Sequence, residues 1–392
     1  MTVARIIVVG SGFAGLSAAA RLAKLRHDVT VLERDAEPGG LLLGRTIGDR
    51  RWAAGPDSVT LPGVFRDLFR KSGRPMDALI AISPSGPRRH LVGARWPRRA
   101  TELDLPFGTR SAQHDAVTAA LGSDPWSPWV DELADPWDTV RRTVFEAVHA
   151  GAPVAEAPFA DRSLRQVARA AGDPRLRRIG AELPGVDESG PSVLAVWHYV
   201  ERNFGRWRFD GGSAGLATAL LTRLRERKVS VETGVEVAEP AVSSGVVDGV
   251  VLADGSHRAA DVVVWAVGSG PSTSRALTAV RLSGADVPED LVVHGRDVVR
   301  GWRSDDDGWV LEAPTGVDPL EELARVGLDL RPHVTWRETV PAPPVLTELP
   351  LAARSPRDGL WLVGAAAAPG AGLEITGMGT AALAAHLGAA PR

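Results

Sequence analysis

The strongest constraint on the fold is a glycine pattern close to the start of the chain. Residues 5–33 read as an apolar strand, a glycine turn, a helix and a second apolar strand. In that turn, Gly10, Gly12 and Gly15 have the spacing GxGxxG. The first glycine permits the tight turn, the second lets the backbone approach a pyrophosphate, and the third lets the helix pack on the strand. The pattern therefore predicts a parallel α/β sheet with a dinucleotide site at its edge.

Glu33 ends the second predicted strand and narrows the choice of nucleotide. Its carboxylate follows the glycines by about 20 residues, where it can accept hydrogen bonds from the adenosine ribose. A 2′-phosphate would be repelled by this charge, which argues against NADP. NAD and FAD both remain compatible with this unit.

Composition excludes several other classes of protein. The 392 residues allow two domains with real cores. A net charge of -3 does not indicate a nucleic-acid surface, and the lack of cysteine excludes disulfides, thiolate zinc sites and a thioether-linked flavin. We expect no bound metal. Because no signal-peptide pattern and no uninterrupted apolar run of about 18 residues occurs, we expect a cytoplasmic protein without a membrane span, and peripheral membrane contact stays open.

Three further stretches resemble a known family. Pro38, Gly39 and Gly40 follow Glu33, the sequence AAGPDSVTLPGVFRDLFRKSGRP begins at Ala53, and PGAGLEITGMG lies near the end of the chain. In this order, the segments resemble the phytoene desaturase (carotenoid desaturase) branch of the amine-oxidase-like flavoproteins. The resemblance implies FAD as the cofactor, bound without a covalent link in a Rossmann-like domain of the GR2 type.

The motifs and the resemblance together suggest which residues contact the cofactor. In the family, backbone near Val237 holds the adenine, and the last helix points its N-terminus at the N1–C2=O edge of the flavin. A positive helix end stabilises the negative charge of the reduced ring. The expected FAD contacts are Gly10, Gly12, Phe13, Ala14, Gly15, Glu33, Arg34, Gly39, Gly40, Leu41, Gly55, Pro56, Val237, Gly364, Ala365, Glu374, Ile375, Thr376 and Met378.

Glu374 departs from the family pattern, which has proline before the final helix. We predict that this helix starts at Thr376, two residues later. The Glu374 carboxylate then either faces the flavin and opposes the charge of the reduced ring, or caps the helix and interacts with its dipole. Both interpretations stay open at this point.

The order of the segments predicts two discontinuous domains. The FAD-binding domain is expected to comprise residues 1–74, 205–272 and 356–392. A substrate or lid domain is expected to comprise residues 75–204 and 273–355. We predict that this second domain is largely helical, because its first part contains few strand signals and the family has a helical substrate region there.

The resemblance implies an FAD-dependent oxidoreductase that dehydrogenates or isomerises a small apolar substrate. Isoprenoids are the substrate class it suggests, with hydride transfer to flavin N5 as the chemical step. Catalytic residues are unknown: His198 and Tyr199 are weak candidates, and both fit equally a helix face that packs on the core. A flavin-dependent amine oxidase and a flavin-binding subunit without turnover remain as alternatives. The oligomeric state is not predicted.

Overall fold

The computed structural model describes residues 3–93, 100–142, 158–183, 185–186, 190–268, 270, 272, 274–346 and 357–390. Its strands, in chain order, are β1 (Arg5–Val9), β2 (Asp28–Glu33), β3 (Arg45–Ile47), β4 (Arg50–Trp52), β5 (Ile82–Pro84), β6 (Arg88–Val92), β7 (Thr101–Leu105), β8 (Trp207–Phe209), β9 (Ser230–Thr233), β10 (Val237–Ser243), β11 (Val246–Leu252), β12 (His257–Ala259), β13 (Val262–Trp265), β14 (Arg275–Leu282), β15 (Asp290–His294), β16 (Val298–Arg303), β17 (Gly308–Pro314), β18 (Val334–Pro341) and β19 (Leu360–Leu362). Its α-helices are α1 (Phe13–Lys24), α2 (Pro62–Ser72), α3 (Arg110–Leu121), α4 (Trp126–Asp131), α5 (Ala134–Val140), α6 (Leu164–Ala168), α7 (Pro174–Gly180), α8 (Val196–Phe204), α9 (Gly212–Glu226), α10 (Pro319–Arg325) and α11 (Leu373–Leu387).

A five-stranded parallel sheet, in the order β19-β13-β1-β2-β9, organises the cofactor half of the molecule. Strand β1 is almost wholly apolar because both faces of this sheet are covered. Ile6 and Val8 pack with helices α1, α2 and α9, whereas Ile7 and Val9 pack with β11 of a three-stranded antiparallel sheet. This arrangement confirms the predicted Rossmann-like α/β fold.

The second large sheet corrects the prediction of a largely helical region. Seven strands, in the order β18-β14-β17-β16-β15-β6-β7, lie within residues 75–204 and 273–355. Helices α3 to α8 are present beside them, around buried Trp126 and Trp129. Strands such as β6 contain charged residues, so their sequences lack the apolar pattern that predicts a strand. The sheet accommodates these charges in ion pairs, such as the 2.7 Å contact between Arg89 and Asp104. The domain boundaries themselves stay a prediction.

The closing helix α11 packs against the opening helix α1. The Ser17 hydroxyl lies 3.3 Å from the Thr380 hydroxyl, in the middle of this contact. The helix begins at Leu373, three residues before the predicted start at Thr376, so Glu374 belongs to its first turn. Within the described ranges, no helix is both long and apolar enough to cross a membrane.

Candidate functional site

The glycine turn between β1 and α1 forms an open backbone cradle. Gly10 has a φ of +93°, and a Cβ added to Gly15 would lie only 1.9 Å from the Gly10 carbonyl oxygen. At Gly12, by contrast, no described atom outside Gly12 and its two chain neighbours lies within 4 Å of the position that a Cβ would take. No side chain in the described part of the chain caps α1, so its first amides are available to an anion.

Glu33 ties this cradle to the end of β2. Its side chain is only 7% exposed. The carboxylate accepts hydrogen bonds from the Ser11 amide at 2.8 Å, from the Ser11 hydroxyl, and from the Asp35 amide at 2.9 Å. The Ser11 hydroxyl in turn accepts from the Gly39 amide at 3.1 Å. Because a carboxylate offers about four acceptor positions, roughly one remains for a ribose hydroxyl.

The closing segment of the chain meets the same cradle. A Cβ added to Gly364 would lie 2.5 Å from the Ala14 side chain and 3.6 Å from that of Thr376. A Cβ added to Gly40 would lie 3.0 Å from the Cα of Gly12. The structure therefore brings together the glycine turn, the Gly39–Gly40 pair, the end of β19 and the start of α11.

The other predicted contacts lie at various depths around this cradle. Arg34 is exposed and pairs with Asp35 at 3.6 Å, while Val237 begins β10 as a half-buried residue. Leu41 is 52% exposed, and Met378 is half-buried in α11. Their contacts with a cofactor stay predictions.

A cavity of about 270 Å³ opens beside the start of α11. It lies between the loop at residues 56–60, which follows Gly55 and includes Pro56, and helix α8. Its apolar walls are formed by Val59, Leu183, Val186, Leu194, Leu346, Leu373 and Ile375. Two carboxyl groups, Glu201 and Glu374, also face it, together with Trp197 and Arg206. The cavity is thus an apolar chamber with a small number of acidic and basic groups.

Glu374 is anchored to the loop opposite it. Its carboxylate accepts hydrogen bonds from the Thr60 amide at 2.5 Å and from the Thr60 hydroxyl at 2.9 Å. The Thr60 hydroxyl also accepts from the Trp197 indole at 3.1 Å. Burial raises the pKa of the Glu374 carboxyl above its ordinary value, and the Thr60 donors oppose that shift. The geometry favours a structural link between α11, the loop and α8.

We expect Glu374→Ala to lower the free energy of unfolding by about 1–3 kcal/mol, because buried Thr60 would lose its acceptor. Glu374→Gln keeps an acceptor oxygen and should retain most of the stability. Chemical denaturation of both variants, with a measurement of the flavin midpoint potential, checks this. A raised potential in Glu374→Gln with unchanged stability would instead place the carboxylate against the flavin.

Glu201 is a buried acid that the sequence analysis missed. It is 5% exposed, and its carboxylate oxygens lie 3.6 Å from Arg88 and 3.7 Å from Arg206, beyond hydrogen-bond distance. Asp290 takes the closer contacts of both arginines, at 3.2 and 2.8 Å. Burial raises the pKa of Glu201 to about 7, against the opposing effect of Arg88. Such a group can exchange a proton near neutral pH.

One signal in the sequence could have revealed Glu201. It follows Trp197 by four residues, so both side chains lie on one face of α8. That face lines the cavity.

His198 and Tyr199 lie outside the residues that line the cavity. The His198 ring is buried between Trp126 and Trp129, with centroids 5.3 and 5.4 Å away, and its Nε2 is 3.1 Å from the Gly180 carbonyl. Burial lowers the pKa of His198 to about 4, so it is neutral. Tyr199 packs at the edge of the same cluster, 5.6 Å from the Arg202 guanidinium. The geometry favours the core-packing interpretation for both.

Comparisons with known proteins agree with this arrangement. Residues 8–71 match the family model described as an NAD(P)-binding Rossmann-like domain. A hydroxyneurosporene desaturase of Cereibacter sphaeroides is 31% identical over 288 residues, which covers 67% of this chain and 56% of the relative. A neurosporene-forming phytoene desaturase of the same organism is 29% identical, with 70% and 54% covered. The chain therefore spans about half the length of the curated relatives it matches.

A redesigned putrescine oxidase shares the fold, with a TM-score of 0.62 at 14% identity and 98% of both chains covered. The cofactor is FAD, and the cradle fits it: Gly12 leaves space for a pyrophosphate, α1 is uncapped, and buried Glu33 retains an acceptor position. The chain is therefore similar in sequence to carotenoid desaturases, and it shares the fold of the putrescine oxidase.

Proposed function

We propose that this protein dehydrogenates or isomerises an apolar, isoprenoid-type substrate with the help of FAD. The observation that carries the proposal is the apolar cavity beside the start of α11, next to the segments that form the cofactor cradle. The relatives named above act on carotenoids, which are extended apolar isoprenoids. The cavity walls match that chemistry, because hydrocarbon segments gain free energy when they leave water.

The cradle residues have distinct proposed roles. The first amides of α1 hold the pyrophosphate, Glu33 accepts from the ribose, and backbone at Val237 holds the adenine. The N-terminus of α11, at Leu373 to Ile375, would stabilise negative charge on the pyrimidine side of the flavin, whereas the Thr376 amide already donates to the Gly372 carbonyl. When bound, FAD supplies the two-electron acceptor that takes a hydride at N5.

Glu201 is the proposed proton acceptor. In a dehydrogenation, one carbon loses a hydride and its neighbour loses a proton, and that proton goes to the Glu201 carboxylate. Because the pKa of Glu201 is about 7, the group is ionised often enough at neutral pH to accept it. Arg88 and Arg206 balance the charge without occupying either carboxylate oxygen.

The size of the cavity limits how much of a substrate it can enclose. Ligand pockets commonly have volumes of roughly 300–1,000 Å³. At about 270 Å³, this cavity accommodates the reacting segment of a chain. We infer that the remainder of a long polyene lies outside it.

The test is anaerobic reduction of the bound flavin. The purified protein should be yellow, and acid precipitation should release the chromophore, since no cysteine can link it. Phytoene-type and shorter isoprenoids should bleach the flavin absorbance, and product analysis should reveal new double bonds or shifted ones. Reduction by cationic amines alone would contradict the proposal. Failure of every compound would favour a flavin-binding subunit without turnover.

Amine oxidation is the second candidate function. Two carboxyl groups, Glu201 and Glu374, face one cavity and could attract a cationic amine. Their raised pKa values weaken that attraction, because both are less ionised than ordinary glutamates. Trp197 is the one aromatic ring among the described residues that line the cavity, so an aromatic cage is not formed there.

The ribose contact gives a separate prediction. Glu33→Ala should weaken FAD binding about tenfold to a hundredfold, because a charged acceptor is lost. Ser11→Ala removes only the hydroxyl link to Glu33 and Gly39, so it should weaken binding less. Equilibrium dialysis against FAD measures both. An unchanged dissociation constant in Glu33→Ala would show that Glu33 does not hold the ribose.

We also propose that the protein contacts a membrane peripherally from the cytoplasm. An isoprenoid substrate partitions into lipid, and Leu41 and Phe204 expose apolar side chains, 52% and 44% accessible. Co-flotation with neutral vesicles tests this proposal. Protein that stays at the bottom of the gradient would contradict it.

A further inference from the structure

A second cavity, of about 620 Å³, lies behind the wall of the first. Val186 lines both cavities and therefore lies between them. Helices α6 and α7 supply one side of the second cavity, and residues of β14, β15 and β16 supply the other. It is a concave site distinct from the cofactor cradle.

Arginine dominates the rim of this cavity. Arg165, Arg169, Arg177 and Arg178 come from the helical side, and Arg296 comes from the turn after β15. Asp297 is the acid that lies among them. Arg169, Arg177 and Arg296 make no ion pair with any residue within the described ranges. The rim therefore has a strong excess of positive charge facing a shared space.

The floor of the cavity is buried and internally balanced. Arg275 and Arg300 are paired with Glu312 at 2.6 and 3.3 Å, and Arg300 also binds Glu182 at 2.5 Å. Two arginines and two carboxylates thus neutralise one another. The floor leaves the charge of the rim uncompensated.

His294 adds an unused polar atom to the floor. Its ring is completely buried, and its Nε2 lies 3.0 Å from Nδ1 of His90. Among the residues that the structure describes, its Nδ1 finds no hydrogen-bond partner, although buried polar atoms rarely lack one. If His90 donates to Nε2, the Nδ1 of neutral His294 carries a proton and is a donor at the cavity.

We propose that this basic cavity binds a phosphate or diphosphate group carried by a small ligand. Guanidinium groups form paired hydrogen bonds with phosphate oxygens, and several of them converge on one concavity here. Exposed arginines alone are ordinary in a chain so rich in arginine. The concave shape, the unpaired guanidinium groups and the unused His294 nitrogen distinguish this cluster from a solvated surface. The proposal does not depend on the chemistry at the flavin.

The experiment is calorimetric titration of the FAD-loaded protein with inorganic diphosphate. We expect saturable binding that weakens at least about tenfold in Arg177→Glu and in Arg296→Glu, because each removes a charge-assisted contact. Arg66→Glu is the matched control, since Arg66 is exposed on α2 and unpaired within the described ranges. Retained flavin absorbance in all three variants shows that they are folded.

Two further arms identify the source of the phosphate group. Geranylgeranyl diphosphate tests a soluble ligand, and vesicles with phosphatidic acid test a lipid headgroup against phosphatidylglycerol vesicles of equal charge. Binding of either soluble diphosphate, or preference for phosphatidic acid, supports the site if Arg177→Glu weakens it at least about tenfold. The proposal would be overturned if no arm showed saturable binding, or if the protein bound only vesicles and bound both kinds equally. It would also be overturned if Arg66→Glu weakened binding as much as Arg177→Glu does.

Discussion

Replacing Glu201 by glutamine should slow substrate dehydrogenation by about 10²- to 10⁴-fold, the usual contribution of a positioned general base. Glutamine has the same shape but cannot accept the proton. FAD should remain bound, because Glu201 belongs to the cavity wall on α8 rather than to the glycine cradle. Rapid-mixing measurements of anaerobic flavin reduction would report the rate directly.

The pH dependence separates this role from a structural one. The wild-type rate should rise as the pH increases through about 7, where Glu201 ionises, and the Gln variant should lose that rise. Tyr199→Phe, on the same helix but outside the lining residues, should leave the rate unchanged. An unaltered pH profile in Glu201→Gln would remove Glu201 from the reaction.

Glu201→Gln should slow the reaction, but it should not lower the free energy of unfolding at neutral pH. The pKa of Glu201 is raised from 4.5 to about 7 in the folded protein, so the folded state holds this proton more tightly than the unfolded state. The contribution of Glu201 to the free energy of unfolding should therefore fall as the pH rises from about 4.5 to 7. Glu201→Gln removes this cost, and above pH 7 it should be at least as stable as the wild type.

Two glycine substitutions in the turn between β1 and α1 should impair different properties: one the stability of the protein, the other its affinity for FAD. Gly15→Ala places a Cβ 1.9 Å from the Gly10 carbonyl oxygen, so we expect a loss of at least about 3 kcal/mol in the free energy of unfolding. Gly12→Ala meets no protein atom within 4 Å, and its backbone φ of -65° suits alanine. It should leave the apoprotein stable but weaken FAD binding about tenfold to a hundredfold, because its methyl group occupies the space of the pyrophosphate.

Urea denaturation of the apoproteins, together with titration of FAD, distinguishes the two effects. The pair acts as its own control, since each variant adds a single methyl group to the same turn. If Gly12→Ala binds FAD as tightly as the wild type, the pyrophosphate does not pass this residue. If Gly15→Ala is as stable as the wild type, the close helix–strand contact does not hold the turn.

The parts of the molecule that could be predicted from the sequence are those whose chemistry is local. The turn at Gly10–Gly15 and its strand-helix context lie within thirty consecutive residues, so backbone geometry leaves a readable pattern. The closing segment was identifiable because glycines and a buried helix occur together there. The helix in this segment begins three residues before the predicted start, because its N-cap is Gly372, which has no polar side chain to mark the position in the sequence.

The remaining features depend on distant residues. Strand β6 reads RRHLV, and only its pairing with β15 and β7 shows that Arg88 and His90 are buried and that Arg88 is ion-paired to Asp290. Glu201 looks like an ordinary surface acid until Arg88 and Arg206 enclose it. The basic cavity likewise joins α6 and α7 to strands that lie far away in the chain, from β14 onward. Contacts between such distant residues leave no periodic pattern in the local sequence.

The order of strands in the parallel sheet has a consequence for how the protein is made. Strand β1 lies beside β13, and β13 lies beside β19, so neighbours in the sheet are synthesised far apart in time. The sheet cannot be completed until the ribosome has passed Leu362, and α11 cannot fully cover α1 until the ribosome has passed Leu387. Until then, the nascent chain exposes apolar strands without partners, which slows folding and invites aggregation. We therefore expect FAD to bind after translation of the closing helix, and we expect chaperones that shield β1 during synthesis to raise the yield of loaded protein.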